Sequence, residues 1–335
     1  MMDRPLRIVH CANFSARKYG AVYYSTDRKI SNGLIRNGHF VEEFSYRDIA
    51  TTEAPLRLKR LGIDKMNAKL LEMLQRIRPD ILLLGHSEMV SNDTLRAARA
   101  ALPEMKIAQW WVDWIDGLRV KQDFFIERID MVDDFFLTTD PQALKDFLPL
   151  DKTLERIHFM PNMCDASIDT GRAFECAHPR HDLLFIGRDT GFPERKDFIA
   201  FLESEMGALN VGLYGQSRDR LVFGHDYIAL LSACPMAINH SHKNDTPLYS
   251  SDRMVHLAAN GCLVFTPKTP KMEQVFSTDE VVYFGGLTEL REKALYYLAH
   301  KDEARAIAQA GHHRAHQDYD CQTVTAQMLR AIAIK

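Results

Sequence analysis

Short apolar runs of strand length recur along this chain, and stretches with helical spacing separate them. That alternation constrains the fold more than any other feature. The first series of runs covers 6–12, 40–44, 81–84, 106–112, 135–138 and 157–160, with helical stretches at 23–37, 65–77 and from Ser91 or Asn92 to just before Pro103. Strands that alternate with helices are joined by crossovers, which builds parallel βαβ units and an open sheet covered on both faces. In such sheets ligands bind beyond the carboxyl ends of the strands. Those ends here carry Asn13 to Lys18, His86 with Glu88, and Asp113.

A second series follows, with strands expected at 182–186, 211–214, 235–239, 262–265 and 281–284 and helices at 194–206 and 227–232. Three helices from about 287 to 334 close the chain. Residues 164–181 lose the apolar period and read as an interdomain linker. A length of 335 residues suits about two domains. The expectation is an α/β protein of two tandem Rossmann-like domains, 1–170 and 171–335, the second ending in a helical tail.

The stretch LYSSDRMVHLAANGCLVFT, residues 248–266, reads as a loop, a short helix and a buried strand. Ser250 and Ser251 are suited to cap the helix, because a hydroxyl accepts an unpaired N–H of the first turn. Gly261 ends it where a left-handed residue is needed. Arg253 sits in the first turn, where the helix dipole disfavours a cation. A bound phosphate, held by N–H groups and a guanidinium together, explains an arginine there. An ion pair with Asp252 is the alternative.

Composition excludes more than it assigns. Net charge is −3, from 42 Lys and Arg against 45 Asp and Glu, so no global basic field marks a nucleic-acid binder. No run approaches the roughly 20 apolar residues of a membrane span. The opening residues hold an apolar run too short for a secretion signal. Six scattered cysteines with no CxxC read as reduced thiols of a cytoplasmic protein.

Several segments in order, DLLFIGRDTGFPERKDF, LYGQ, YSSDRMVHLAANGCLVF and VVYFGGLTELREKALYYLAHKDEARAIAQAG, with PDILLLGHSE and IAQWWVDW in the first half, make the chain similar to glycosyltransferases of the GT-B fold. More narrowly it resembles the group named after the spore-maturation CgeB proteins, within the group 1 glycosyltransferases. The resemblance implies a deep interdomain cleft, a nucleotide-diphosphate sugar donor on the C-terminal domain and a glycan, lipid-linked or protein acceptor on the N-terminal domain. It implies no further cofactor and no essential metal. It places the donor near Gly187 and Arg188, Arg195 and Lys196, Tyr214 and Gly215, and the Ser250, Ser251, Arg253 and His256 stretch. His256 departs from the pattern, since much of the family has a glutamate there to bind the donor ribose or sugar. Arg195 and Lys196 also fit a solvated helix face, and Tyr214 also fits core packing.

For the chemistry, Asp113 is the first candidate for general base, flanked by Trp110, Trp111 and Trp114, the only tryptophans. His86 is the second, on a neighbouring strand end. A retaining transfer needs no such base. Trp110 and Trp111 suit the core, while Trp114 suits either the core or a sugar ring. His240, His242, His312, His313 and His316 invite a metal reading, but a solvated tail fits the last three better, and His240 with Lys243 fits a donor contact or a solvated loop equally. The implied function is sugar transfer in surface polysaccharide or surface-layer modification, in the cytoplasm or at the inner face of the membrane. A non-catalytic binder of sugar nucleotides and a sugar-nucleotide epimerase on the same fold are the alternatives.

Overall fold

The computed structural model describes residues 4–114, 127–145, 154–188, 193–215 and 221–332. The chain divides into two compact units, 1–161 with 321–335, and 162–320. The boundary thus falls at 161/162, and not at 170/171 as the sequence suggested.

The first unit is a six-stranded parallel sheet in the order β2-β1-β3-β4-β5-β6. Its strands are β1 (Arg7–Ala12), β2 (Phe40–Ser45), β3 (Ile81–Gly85), β4 (Lys106–Trp111), β5 (Asp134–Leu137) and β6 (Ile157–Phe159). Every residue of β3 is buried, as expected for a strand covered on both faces. Helices α1 (Thr26–Arg36), α2 (Tyr46–Thr52), α3 (Ile63–Ile77) and α4 (Asn92–Ala101) connect them. Ser25 and Ser91 cap α1 and α4, accepting from the amides of Arg28 and Thr94. Helix α2 was not expected: it follows β2 without a turn signal and spans only seven residues.

The second unit is a five-stranded parallel sheet in the order β11-β10-β9-β7-β8. It comprises β7 (Leu183–Ile186), β8 (Val211–Tyr214), β9 (Met236–Ile238), β10 (Leu263–Pro267) and β11 (Val282–Phe284). Its helices are α5 (Pro193–Ser204), α6 (Gly224–Ser232), α7 (Arg253–Ala259), α8 (Leu287–Ala299) and α9 (Lys301–Asp318).

Two expectations fail in the packing. The last helix, α10 (Cys321–Ala331), leaves the second unit and lies against α1 of the first. Gly33 makes this possible, because a Cβ there would collide with the carbonyl of Cys321. Asn37 then donates to the Gln322 carbonyl at 2.9 Å. The stretch 164–181 is no linker either. Asp169 is fully buried and accepts from the Asp165 amide and the Asn260 side chain, while Gly171 and Ala173 donate to Asn260. Its polar residues satisfy one another inside the unit, so the absence of an apolar period misled the reading.

Candidate functional site

In the second unit the carboxyl ends of β7 and β9 gather two arginines. Arg195, in the first turn of α5, donates from Nη2 to the carbonyl of His240 at 2.6 Å. Arg253, opening α7, donates from Nη1 to the same carbonyl at 3.1 Å and to Ser251 Oγ at 3.2 Å. Both guanidiniums lie over the Phe185 ring, 5.4 and 5.5 Å from its centroid. No carboxylate among the described residues pairs with either, so the Asp252 ion pair is not formed. Arg195 is only 2% exposed, and its Nε and Nη1 find no hydrogen-bond partner among the described residues. Burial, and then the adjacent charge of Arg253, pull its guanidinium down to about 9. Two like charges forced together without a counter-ion are costly unless an anion joins them.

The surrounding frame is closely packed and hydrogen-bonded. Gly187 donates its amide to the Tyr214 carbonyl at 2.9 Å, and a Cβ on Gly187 would come within 2.6 Å of Arg195 Nη1. Gly215 has φ +91° and sits against the Gly187 backbone, so glycine is required there on both counts. Asn239 accepts from Ser251 Oγ at 3.1 Å and donates to Thr266 Oγ1 at 3.1 Å. The His240 ring stacks on Phe198 with centroids 4.1 Å apart, and burial first, then the charges of Arg195 and Arg253, lower it to about 3. It is therefore neutral at physiological pH.

Other expected donor residues are placed differently. Ser250 and Ser251 do not cap α7: its N-cap is Asp252, with no side-chain bond, and Ser251 Oγ serves Asn239 and Arg253 instead. The Ser250 carbonyl accepts from Asn162. His256 is buried, its Nδ1 3.4 Å from Asp169 and its Nε2 3.9 Å from Asp252, with Tyr227 edge-on. The Tyr214 hydroxyl is 3.0 Å from His181 Nε2. Arg188 and Lys196 are exposed and do not join the arginine pair. The structure thus brings together Gly187, Arg195, Gly215, Ser251 and Arg253. Asn239, Phe185 and the His240 carbonyl complete the group, and only His240 had been singled out in the sequence.

In the first unit the turn after β3 places His86 and Ser87 both at φ 49°, a costly backbone for non-glycine residues. The contacts around it hold the strain. The His86 amide donates to the Trp110 carbonyl, Gln109 donates to the His86 carbonyl at 2.8 Å, and Ser87 Oγ lies 2.8 Å from the Cys11 carbonyl. The His86 ring stacks on Trp111, centroids 4.1 Å apart. Val112 donates its amide to His86 Nε2 at 3.3 Å, which leaves the proton on Nδ1, the nitrogen 3.9 Å from Asp113 Oδ2. His86 therefore has its lone pair occupied and turns its N–H side toward Asp113. Glu88 is bound by Tyr46 and Arg47.

The tryptophans are all core residues, Trp114 included, so Trp114 does not present a face to a sugar. Trp110 Nε1 donates to His10 Nε2 at 3.0 Å, and burial, with a smaller push from Arg28, lowers His10 to about 3. Asp27, in the first turn of α1, accepts the Asn13 amide at 2.8 Å, and burial raises its carboxyl to about 6. Nothing in the sequence singled it out, because its environment is made by the loop folding over it. Of the tail histidines, His313 is exposed as expected, but His316 Nε2 lies 2.9 Å from the Ala259 carbonyl, and His312 packs edge-on against Phe174. Among the described residues no group of three His, Cys, Asp or Glu is placed to hold a metal ion.

Residues 188–330 match a family described as glycosyl transferase-like. Among solved structures, an α-glucosyltransferase determined with UDP-glucose and DNA containing an abasic site is similar over 98% of this chain and 99% of its own, at 13% identity and a TM-score of 0.65. Sucrose-phosphate synthase from Thermosynechococcus elongatus covers 98% of each chain at 12% identity and a TM-score of 0.61. HepE of Anabaena in complex with UDP covers 98% of this chain and 99% of its own, at 12% identity and a TM-score of 0.58. No curated protein sequence matches the chain. At such identities the likeness shows the fold, two parallel α/β units as in GT-B glycosyltransferases.

Proposed function

We propose that this chain, with a glycosyl transferase-like second unit in a GT-B fold, moves a sugar from a nucleoside-diphosphate donor to an acceptor hydroxyl. The observation that carries the reading is the Arg195 and Arg253 pair, which converges on one carbonyl with no carboxylate in ion-pair contact among the described residues. A diphosphate supplies the missing charge. As the sugar C1–O bond breaks, negative charge grows on the departing diphosphate, and fixed guanidiniums stabilise it most at that moment. Arg253, half-buried, makes the contact, and Arg195 beneath it adds field from a water-poor position.

The first unit takes the acceptor in this reading. Asp113 removes the hydroxyl proton as the sugar transfers, and His86 orients it through the Nδ1 side. The occupied Nε2 lone pair favours Asp113 over His86 for the base role. The UDP and UDP-glucose complexes of the similar structures make a uridine diphosphate sugar the first donor to test. The acceptor class, a glycan, lipid-linked or protein hydroxyl in surface polysaccharide or surface-layer assembly, rests on sequence resemblance. A cytoplasmic location rests on the scattered cysteines without a CxxC; no described helix is long and apolar enough to cross a membrane.

Calorimetric titration with UDP and with UDP-glucose, followed by an assay for UDP release with candidate acceptors, tests the proposal. Tight binding with release supports transfer. Binding with no release across acceptors leaves a non-catalytic sugar-nucleotide binder, the reading that the buried His256 and Asp169 pair favours. No binding of any nucleotide diphosphate removes the donor site from these residues.

A further inference from the structure

Two turns of the first unit touch helix α2, and both carry cations next in sequence to exposed apolar side chains. The first turn, Ala16–Lys18, is tied to α2 by the Ala16 amide, which donates to Asp48 Oδ2 at 2.7 Å. The second, Lys59–Gly62, lies directly on α2, since a Cβ on Gly62 would collide with the Ala50 carbonyl. Buried Ala54 and Gly62 bracket the exposed residues Arg57, Leu58, Arg60 and Leu61.

Those residues are unusual for a water-facing surface. Leu58 and Leu61 are 56% and 58% exposed, and Tyr19 on the first turn is 93% exposed. Arg57, Lys59 and Arg60 stand beside the leucines, and Arg17 and Lys18 precede the tyrosine. No carboxylate among the described residues pairs with any of the five cations. The chain as a whole is net negative, so this concentration of unpaired positive charge is local. Single exposed apolar residues need no explanation, but leucines set among unpaired cations match the two attractions of a peripheral membrane contact. Leucine enters the acyl boundary, tyrosine sits at headgroup level, and lysine and arginine meet lipid phosphates.

We propose that the two turns touching α2 form a docking surface for an anionic phospholipid bilayer. The surface needs no transfer activity, and its test needs none. Sedimentation of the full chain with vesicles of phosphatidylglycerol and phosphatidylcholine, at low salt, is expected to show binding that is lost on pure phosphatidylcholine. Binding should fall steeply as salt is raised, because exposed charges are screened over about 8–10 Å near physiological ionic strength. Lys59→Ala with Arg60→Ala should weaken vesicle binding about thirtyfold, roughly fivefold for each cation removed. Leu58→Ser with Leu61→Ser should weaken it further at high salt than at low salt, since the apolar contribution is unscreened. All four positions are surface residues, and an unchanged melting temperature checks that the variants fold. Failure of the wild type to bind anionic vesicles at low salt overturns the proposal. So does binding that both variants leave intact, which would place the contact elsewhere. A dimer in analytical ultracentrifugation that Leu58→Ser with Leu61→Ser dissolves, without vesicle binding, would assign the surface to a second copy and likewise overturn it.

Discussion

At the carboxyl end of the first sheet His86 has its amide, its carbonyl and one ring nitrogen all engaged, whereas at the same end of the second sheet Arg195 has two buried nitrogens with no hydrogen-bond partner among the described residues. The first region is complete by itself. Its backbone strain is over-determined by Trp110, Gln109 and Cys11, which suits a group that must hold a carboxylate in one orientation. The second region is incomplete by itself, because its arginines repel each other in a buried setting. On the proposed reading, the settled geometry of the first region suits a neutral acceptor and the clustered charge of the second suits an anion.

The largest effect that would break this comparison is on turnover. Asp113→Asn keeps the shape and removes the base, so kcat at saturating acceptor should fall about a hundredfold or more while donor binding persists. A mutant with near-normal kcat would remove Asp113 from the mechanism, and a raised acceptor KM alone would reduce it to a binding residue.

Next comes the charge of the second region. Arg253→Ala should weaken nucleoside-diphosphate binding by about 2 kcal/mol, roughly thirtyfold, as a charge-assisted contact is lost. Arg195→Met should weaken it too, yet leave the ligand-free protein as stable as before or more so, because it removes an uncompensated buried charge. Calorimetry and ligand-free thermal melts together check this. A large drop in ligand-free stability for Arg195→Met would mean that its contacts with His240 and Phe185 are structural.

Asp27 offers a smaller test inside the first region. Its carboxyl is raised to about 6 in the folded protein, so ionising it disfavours the fold. Below about pH 4 the group is protonated folded or unfolded and the cost is absent; it grows as the pH rises through about 6. Asp27→Asn should therefore change the melting temperature little at pH 4 and raise it at pH 8, by the equivalent of about 1–2 kcal/mol. An equal shift at both pH values would point to the lost bond from Asn13 instead.

The smallest expected effect is none. If Arg195 and Arg253 neutralise the diphosphate as proposed, no metal is needed for that role and turnover should survive EDTA. Loss of activity that magnesium or manganese restores would move the donor phosphates away from Arg195 and Arg253.

Much of this was legible in the sequence. The strands at 81–84, 211–214 and 281–284 were placed within a residue or so, because apolar runs of that length have few other uses. Arg253 stood out because a cation in a first turn is unexpected. His256 was legible only as a departure and not in its role, since its partner Asp169 lies in a stretch whose polarity imitated a linker. Helix α2 was invisible because seven residues give too little periodicity to read.

What the sequence determined by itself, then, is the alternation of strands and helices, two sheets from two series, and the strand ends where chemistry collects. Local spacing encodes these, and crossover handedness does the rest. Only the tertiary structure decided that Arg195 and Arg253 share one carbonyl, that His86 gives its lone pair to Val112, and that the last helix returns to α1 through Gly33. Each of those depends on side chains far apart in the chain meeting at a distance of a few ångströms. No periodicity records such a meeting; it is fixed when both sheets have formed and the burial of each group has been set by its neighbours.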